Sequence, residues 1–200
     1  MEVCMSRSLD FYYDIASPYS YLAAHRLAKA SRDVKVHVHW KPILLGGIFR
    51  ATDNVMPASV PARGRYILRD LSRWAERAGT PFRFSSTFPH NSLVAMRALT
   101  AAPSEQVPDL SKRLFQSTWV DDRDLSDRAV VEAALGDLGP ELVSATQDPA
   151  VKAQLMTVTQ EAIDAGVFGA PSFVVGTELF WGNDRLEMAL DYAQRRSDGA

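Results

Sequence analysis

The strand-like stretches of this chain lie only near its two ends, and that placement limits the folds open to it. Near the start, Leu9-Asp10-Phe11-Tyr12-Tyr13-Asp14-Ile15 is rich in aromatic and branched residues, and residues 34–40 alternate with the period of a half-buried strand. One helical run, residues 21–30, separates them, so the spacing predicts a βαβ unit with parallel strands. Near the end, strands are predicted at residues 173–175 and 178–181 with a turn through Gly176. A helix follows at 183–196, with Leu186, Ala189, Leu190 and Ala193 as its buried stripe. Between these ends the periodicity is helical. Ile67, Leu71, Trp74, Ala75 and Ala78 form an apolar stripe ended by Gly79 and Pro81, and Val151, Leu155, Val158 and Ala162 form another ended by Gly166. Shorter helical signals cover residues 92–102, 110–119 and 126–135, with Pro103, Pro108, Gly136, Gly139, Pro140 and Pro149 as breaks. The expected architecture is α/β: a βαβ…ββα frame in residues 1–42 and 166–200, with an all-helical insertion at 43–165.

Composition narrows the function classes. The chain has 200 residues, 46% hydrophobic and 23% charged, which suits a soluble globular protein with a sizeable core. A formal net charge of −2 offers no electrostatic attraction to nucleic acid or an anionic membrane. The first ten residues lack the apolar core of a signal peptide, and no apolar run approaches the roughly 20 residues of a membrane span, so a cytoplasmic protein is expected. Cys4 is the single cysteine, which excludes an intramolecular disulfide and a multi-cysteine metal site. His37 and His39 share a strand face but have no recognisable third ligand, so no metal is expected.

Two motifs flank the frame. Ser17-Pro18-Tyr19-Ser20 follows the first strand; serine is a good N-cap and proline suits the first helical position. Taken alone, it reads equally well as an ordinary helix start. Far along the chain, Phe168-Gly169-Ala170-Pro171-Ser172-Phe173 leads a proline into a short apolar strand. These placements resemble the thioredoxin fold, with serines at the helix tip where redox cysteines stand. Four stretches extend the likeness to nearly the whole chain: residues 11–22, Leu44-Leu45-Gly46-Gly47-Ile48-Phe49, Phe168-Gly169-Ala170-Pro171, and Phe180-Trp181-Gly182-Asn183-Asp184-Arg185. Together they resemble the kappa-class glutathione transferases and the 2-hydroxychromene-2-carboxylate isomerases, in the DsbA-like branch of the thioredoxin fold.

That resemblance implies glutathione as cofactor, a small aromatic substrate and a homodimer. It places Ser17 opposite the glutathione sulfur, where a hydroxyl donor at a positive helix end would favour the thiolate. Ser20, at the position of a second redox cysteine, is expected to be structural filler. A cis bond before Pro171 would free the Ala170 N–H and C=O to pair with an extended peptide such as glutathione; a trans proline at a strand start is the plainer reading. Gly182, Asn183 and Asp184 open the last helix, whose free N–H groups suit a carboxylate and whose Asp184 suits an ammonium; a simple cap would look the same. Trp181 is read as a pocket wall or a core aromatic. Arg50 and Asn54 have the spacing of a cation and an asparagine that reach glutathione or substrate, although Asp53 stands where glycine is frequent and Pro57 follows late. Arg50 would pair with a substrate carboxylate or lie solvated; Lys41 is a weaker candidate for the same task. Phe88, Leu45 and Ile48 are placed on the substrate side, and His90 within reach of it.

Within the family, Phe11-Tyr12-Tyr13-Asp14 and Trp181-Gly182-Asn183-Asp184 look more like the bacterial isomerases, so the resemblance implies an isomerase. A thiol adds to a conjugated double bond, the bond rotates, and the thiol leaves, interconverting 2-hydroxychromene-2-carboxylate and trans-o-hydroxybenzylidenepyruvate. A kappa-type transferase that leaves glutathione on a small electrophile is the alternative, as is a non-catalytic binding module. A dithiol oxidoreductase is excluded by the two serines at the helix tip.

Overall fold

The computed structural model describes residues 7–56 and 59–198; Cys4 and Pro57 lie outside the described residues. The frame forms as the periodicity requires. β1 (Ser8–Tyr13) pairs in parallel with β2 (His37–Pro42), from Ser8 opposite His37 to Tyr13 opposite Pro42. On its other edge β1 runs antiparallel to β3 (Ser172–Val175), with Phe11 opposite Phe173, and β3 runs antiparallel to β4 (Glu178–Trp181). The sheet order is therefore β2-β1-β3-β4, with the aromatic strand inside. Phe11, Tyr13 and Phe173 stack on one face, at 4.9 and 5.3 Å between ring centroids, while Tyr12 faces a smaller cluster with Ile43, Ile48 and Val174 on the other.

The crossover helix α1 (Pro18–Asp33) is longer than its apolar pattern. Pro18 starts it one residue after the Ser17 cap, and the chain turns at Lys35 with φ +55°, so β2 begins at His37 rather than at residue 34. Six further helices were expected or punctuated by the sequence in part: α3 (Pro61–Ala78), α4 (Leu93–Ala101), α5 (Val107–Trp119), α6 (Arg128–Leu135), α8 (Pro149–Asp164) and α9 (Leu186–Asp198). Residues 183–185 form a 3-10 turn ahead of α9 instead of its first turn.

Two helices are not in the sequence reading. α2 (Leu45–Ala51) contains Gly46 and Gly47 and is too short to carry a periodic stripe. α7 (Gly139–Ala145) begins at residues taken for a break. Pro61, Pro108, Pro140 and Pro149 all sit in first turns, where the missing N–H costs nothing, so these prolines start helices and do not break them. Gly139 is there because nothing larger fits: a Cβ would stand 2.0 Å from the Glu132 carbonyl oxygen. Gly139→Ala is expected to cost roughly 2 kcal/mol or more, read as a lower urea midpoint with an unchanged m-value.

One buried cluster runs from Leu9, Phe11 and Tyr13 through Phe115 and Trp119 to Leu135 and Val143, so sheet and inserted helices share a core. Two polar contacts lock them: Tyr13 Oη lies 2.6 Å from Ser111 Oγ, and Trp119 Nε1 donates to the Ile15 carbonyl at 2.9 Å.

Candidate active site at the tip of the first helix

Ser17 is the N-cap of α1, with extended backbone at φ −94°, ψ 114°. Its Oγ accepts the Ser20 N–H at 3.1 Å and donates to the Ala170 carbonyl at 3.0 Å, across 153 positions of sequence. Only 4% of the residue is exposed. The bond before Pro171 is cis. The Pro171 carbonyl accepts the Gly182 N–H at 3.0 Å, and Ser172 Oγ donates to Gly169 O at 2.8 Å, which shapes this bend from both sides. The Ala170 N–H has no partner among the described residues, but its carbonyl is taken by Ser17. The expectation that both groups stand open is therefore half met. A hydroxyl carries one proton, so Ser17 must turn from Ala170 to donate elsewhere.

The other candidates separate into those near this bend and those away from it. Asn54 follows α2 and donates from Nδ2 to the Phe168 carbonyl at 3.0 Å, two residues before Ala170. Asp53 takes φ +51°, the left-handed conformation glycine enters freely and aspartate tolerates better than most residues, so the loop closes without glycine. Trp181 is 48% exposed and its ring lies 4.8 Å from Phe168. It covers Gly169, where a Cβ would stand 2.5 Å from the indole Nε1. Gly182 has φ +109°. Asn183 is buried, its Oδ1 without a partner among the described residues and its carbonyl held by Arg26. Asp184 lies 3.3 Å from Arg185, so its charge is shared.

Arg50 is exposed in the last turn of α2, and Lys41 is half-buried on β2 opposite Tyr12. Phe88 packs against Phe84 and Trp119, at 5.1 and 6.2 Å between centroids. Ile48 is 0% exposed and packs beneath the sheet, which corrects the expectation that it lines a substrate pocket; Leu45, only partly buried, packs against the same cluster. His90 is also withdrawn from the site. Its Nδ1 lies 3.4 Å from Thr87 Oγ1 and 3.5 Å from Asp124, and burial lowers its pKa against the pull of that carboxylate. His37 and His39 meet edge to face at 4.6 Å between ring centroids, and no group of three or more His, Cys, Asp or Glu able to hold a metal occurs among the described residues.

Sequence reasoning passed over Asp14. Its carboxylate is 2% exposed, accepting the Ala16 N–H at 2.9 Å with Oδ1 and the Leu45 N–H at 2.9 Å with Oδ2. Burial pushes its pKa up, while the hydrogen bonds from Leu45, Ala16 and Ser92 pull it down. An acid at the end of an apolar strand, three residues before an N-cap, was the available signal. The site as a whole offers a hydroxyl at a helix tip, an unpartnered peptide N–H and an exposed indole.

The match of known proteins follows this geometry. A family model for the DSBA-like thioredoxin domain matches residues 8–194. A 2-hydroxychromene-2-carboxylate isomerase from Pseudomonas sp. (strain C18) is 31% identical over 190 residues, covering 92% of this chain and 89% of the relative. Glutathione S-transferase kappa 1 from Homo sapiens is 28% identical over 202 residues, covering 92% and 89%. A solved structure of a 2-hydroxychromene-2-carboxylate isomerase superposes with a TM-score of 0.83 at 30% identity, over 94% of this chain and 95% of that one. No helix among the described residues is long and apolar enough to cross a membrane. The chain belongs to the DsbA-like thioredoxin family, in the branch that holds the 2-hydroxychromene-2-carboxylate isomerases and the kappa-class glutathione transferases.

Proposed function

We propose that this protein is a glutathione-dependent isomerase that interconverts 2-hydroxychromene-2-carboxylate and trans-o-hydroxybenzylidenepyruvate, acting as a cytoplasmic homodimer. The observation that carries the reading is the Ser17 hydroxyl, held at the N-terminus of α1 and 3.0 Å from the Ala170 carbonyl, where no cysteine is present to do redox chemistry. The residues fit glutathione. The unpartnered Ala170 N–H, beside Pro171, suits the backbone of its cysteinyl unit, and Gly182, Asn183 and Asp184 suit its γ-glutamyl end. Asn54 and Trp181 border the same bend. Bound glutathione would supply a thiol that adds to and leaves a conjugated double bond, making that bond rotatable in between.

The chain's own residues do the rest. Ser17 turns its proton from Ala170 to the sulfur and, with the positive end of α1, holds it as the anion. Arg50 and Lys41 supply cations for a substrate carboxylate, and Phe88 an aromatic neighbour for the ring. In this reading residues 1–42 and 166–200, with Asn54 from the insertion, hold the cofactor, and residues 43–165, with Lys41, shape the substrate side. The kappa-class relatives support a second reading, conjugation of glutathione to small electrophiles at the same site.

The ultraviolet spectrum of 2-hydroxychromene-2-carboxylate mixed with the protein, with and without glutathione, separates these. Conversion to the benzylidenepyruvate only with glutathione is the expected result. No conversion, with glutathione still bound, would overturn the isomerase in favour of the transferase or a binding module.

A further inference from the structure

The residues around Ser17 are joined in a closed circuit of hydrogen bonds. Ser17 Oγ donates to Ala170; two residues back, the Phe168 carbonyl accepts from Asn54; Asn54 N–H in turn bonds Phe49 O at 3.0 Å, in the last turn of α2. At its other end, α2 donates the Leu45 N–H to Asp14, and Asp14 returns to the start by accepting Ala16 N–H on its side chain and Ser17 N–H, at 3.0 Å, on its carbonyl. Leu44, the N-cap of α2, makes no side-chain cap bond of its own. Asp14 supplies that cap from 31 positions away. A seven-residue helix with two glycines does not stand unaided, so its first-turn partners decide where it sits. Thr159 Oγ1 accepts the Leu44 N–H at 3.1 Å and ties the same turn to α8, and the Ile43 N–H bonds the Tyr13 carbonyl at 3.0 Å; among the described residues it is the Asp14 side chain that bonds α2 itself to the Ser17 turn. The geometry requires an acceptor at both ends of one side chain, which a carboxylate offers and asparagine does not.

We propose that Asp14 is a positioning residue for the glutathione site: its two carboxylate oxygens clamp α2 to the Ser17 turn and so hold Asn54 against the loop that carries Ala170. The proposal rests on the glutathione reading of this site. Asp14 acts through the position of α2, and so through how Asn54 meets the Phe168 carbonyl. Besides Ser92, the acid accepts two backbone donors, one on the Ser17 turn and one on α2, so losing the Leu45 bond loosens α2 without removing Ser17, Ala170 or Asn54.

Two variants break the Leu45–Asp14 bond from opposite ends. Asp14→Asn removes the second acceptor. Leu45→Pro removes the donor, and proline is sterically allowed at this first helical position because Leu44 is extended, at φ −95°, ψ 104°. In the full-length protein, peptide-resolved deuterium exchange is expected to speed up by roughly tenfold across residues 45–54 in each variant, with β1 protection retained. The KM for glutathione is expected to rise about fivefold to tenfold with kcat within about twofold, and the double variant to be no worse than the larger single, since both remove one bond. Unchanged exchange and KM in either folded variant, or fully additive effects, would overturn the clamp. Faster exchange in α2 beside a wild-type protein that binds no glutathione would uphold the clamp and overturn the cofactor reading. Should Asp14→Asn fail to fold, Leu45→Pro alone decides the matter by the same readings.

Discussion

Ser17→Ala is expected to lower glutathione-dependent turnover by about 10²- to 10³-fold, the usual cost of removing one preorganised donor from a developing anion. The chain should still fold. The variant loses the N-cap bond to Ser20, worth about 1 kcal/mol, and keeps Pro18 and the whole of α1. The Ala170 carbonyl also loses its donor, which adds to that cost without disturbing the packed core. The direction of the pH effect follows from the hydrogen bond. A donor to a thiolate favours the anion, so removing it raises the pKa of the bound thiol. The deficit in kcat/KM should then be largest at low pH and shrink as rising pH forms the thiolate without help. Thiolate absorbance near 240 nm, titrated with glutathione bound, reads the same shift directly. Ser17→Thr, which keeps the hydroxyl, should recover part of the activity. Unaltered kinetics in Ser17→Ala would remove the hydroxyl from the mechanism.

The largest effect on stability is expected at Trp119. It is fully buried, its ring is within about 6 Å of Phe82, Phe84, Phe88 and His90, and its Nε1–H bonds the Ile15 carbonyl just before the Ser17 turn. Trp119→Ala should cost about 4 kcal/mol through the cavity alone, and more for the orphaned carbonyl, a large share of the 5–15 kcal/mol that stabilises a domain of ordinary size. Trp119→Phe separates the two contributions. It keeps most of the ring volume and loses the N–H, so roughly 1–3 kcal/mol is expected. Urea midpoints for the two variants measure the difference. Equal losses in both would mean that the hydrogen bond, and not the filled volume, is what matters at this position.

Trp119 also shows where sequence reading stops. Its place at the end of α5 follows from the periodicity of residues 110–119, but nothing local says that its indole reaches back to Ile15, 104 positions earlier. The same contrast holds at the site. Ser17 and Pro18 announce a capped helix because a cap is a matter of adjacent residues, and Phe168 to Phe173 announces a proline entering a strand for the same reason. Asn54 and Ala170 entered only through resemblance, and their closeness to one another is a property of the folded chain. Asp14 was missed because an acid at the end of an aromatic strand reads as an ordinary polar residue where the strand stops.

The sequence alone was enough for the frame: strand at both ends, helix between, a serine at one helix tip and a proline entering a strand far along the chain. These features are encoded over a few consecutive residues, where steric preference, capping and hydrophobic period act without help from the rest of the chain. Tertiary structure decided the remainder. It made a helix of residues 45–51, which are too short and too rich in glycine to nucleate one, by giving them a carboxylate cap and burying Ile48. It buried Ile48 against the sheet, drew His90 to Thr87 and Asp124, and turned the Ser17 proton toward Ala170. Each of those outcomes depends on a partner tens of positions or more away, and the energy of such a contact exists only once the fold has brought its two halves together.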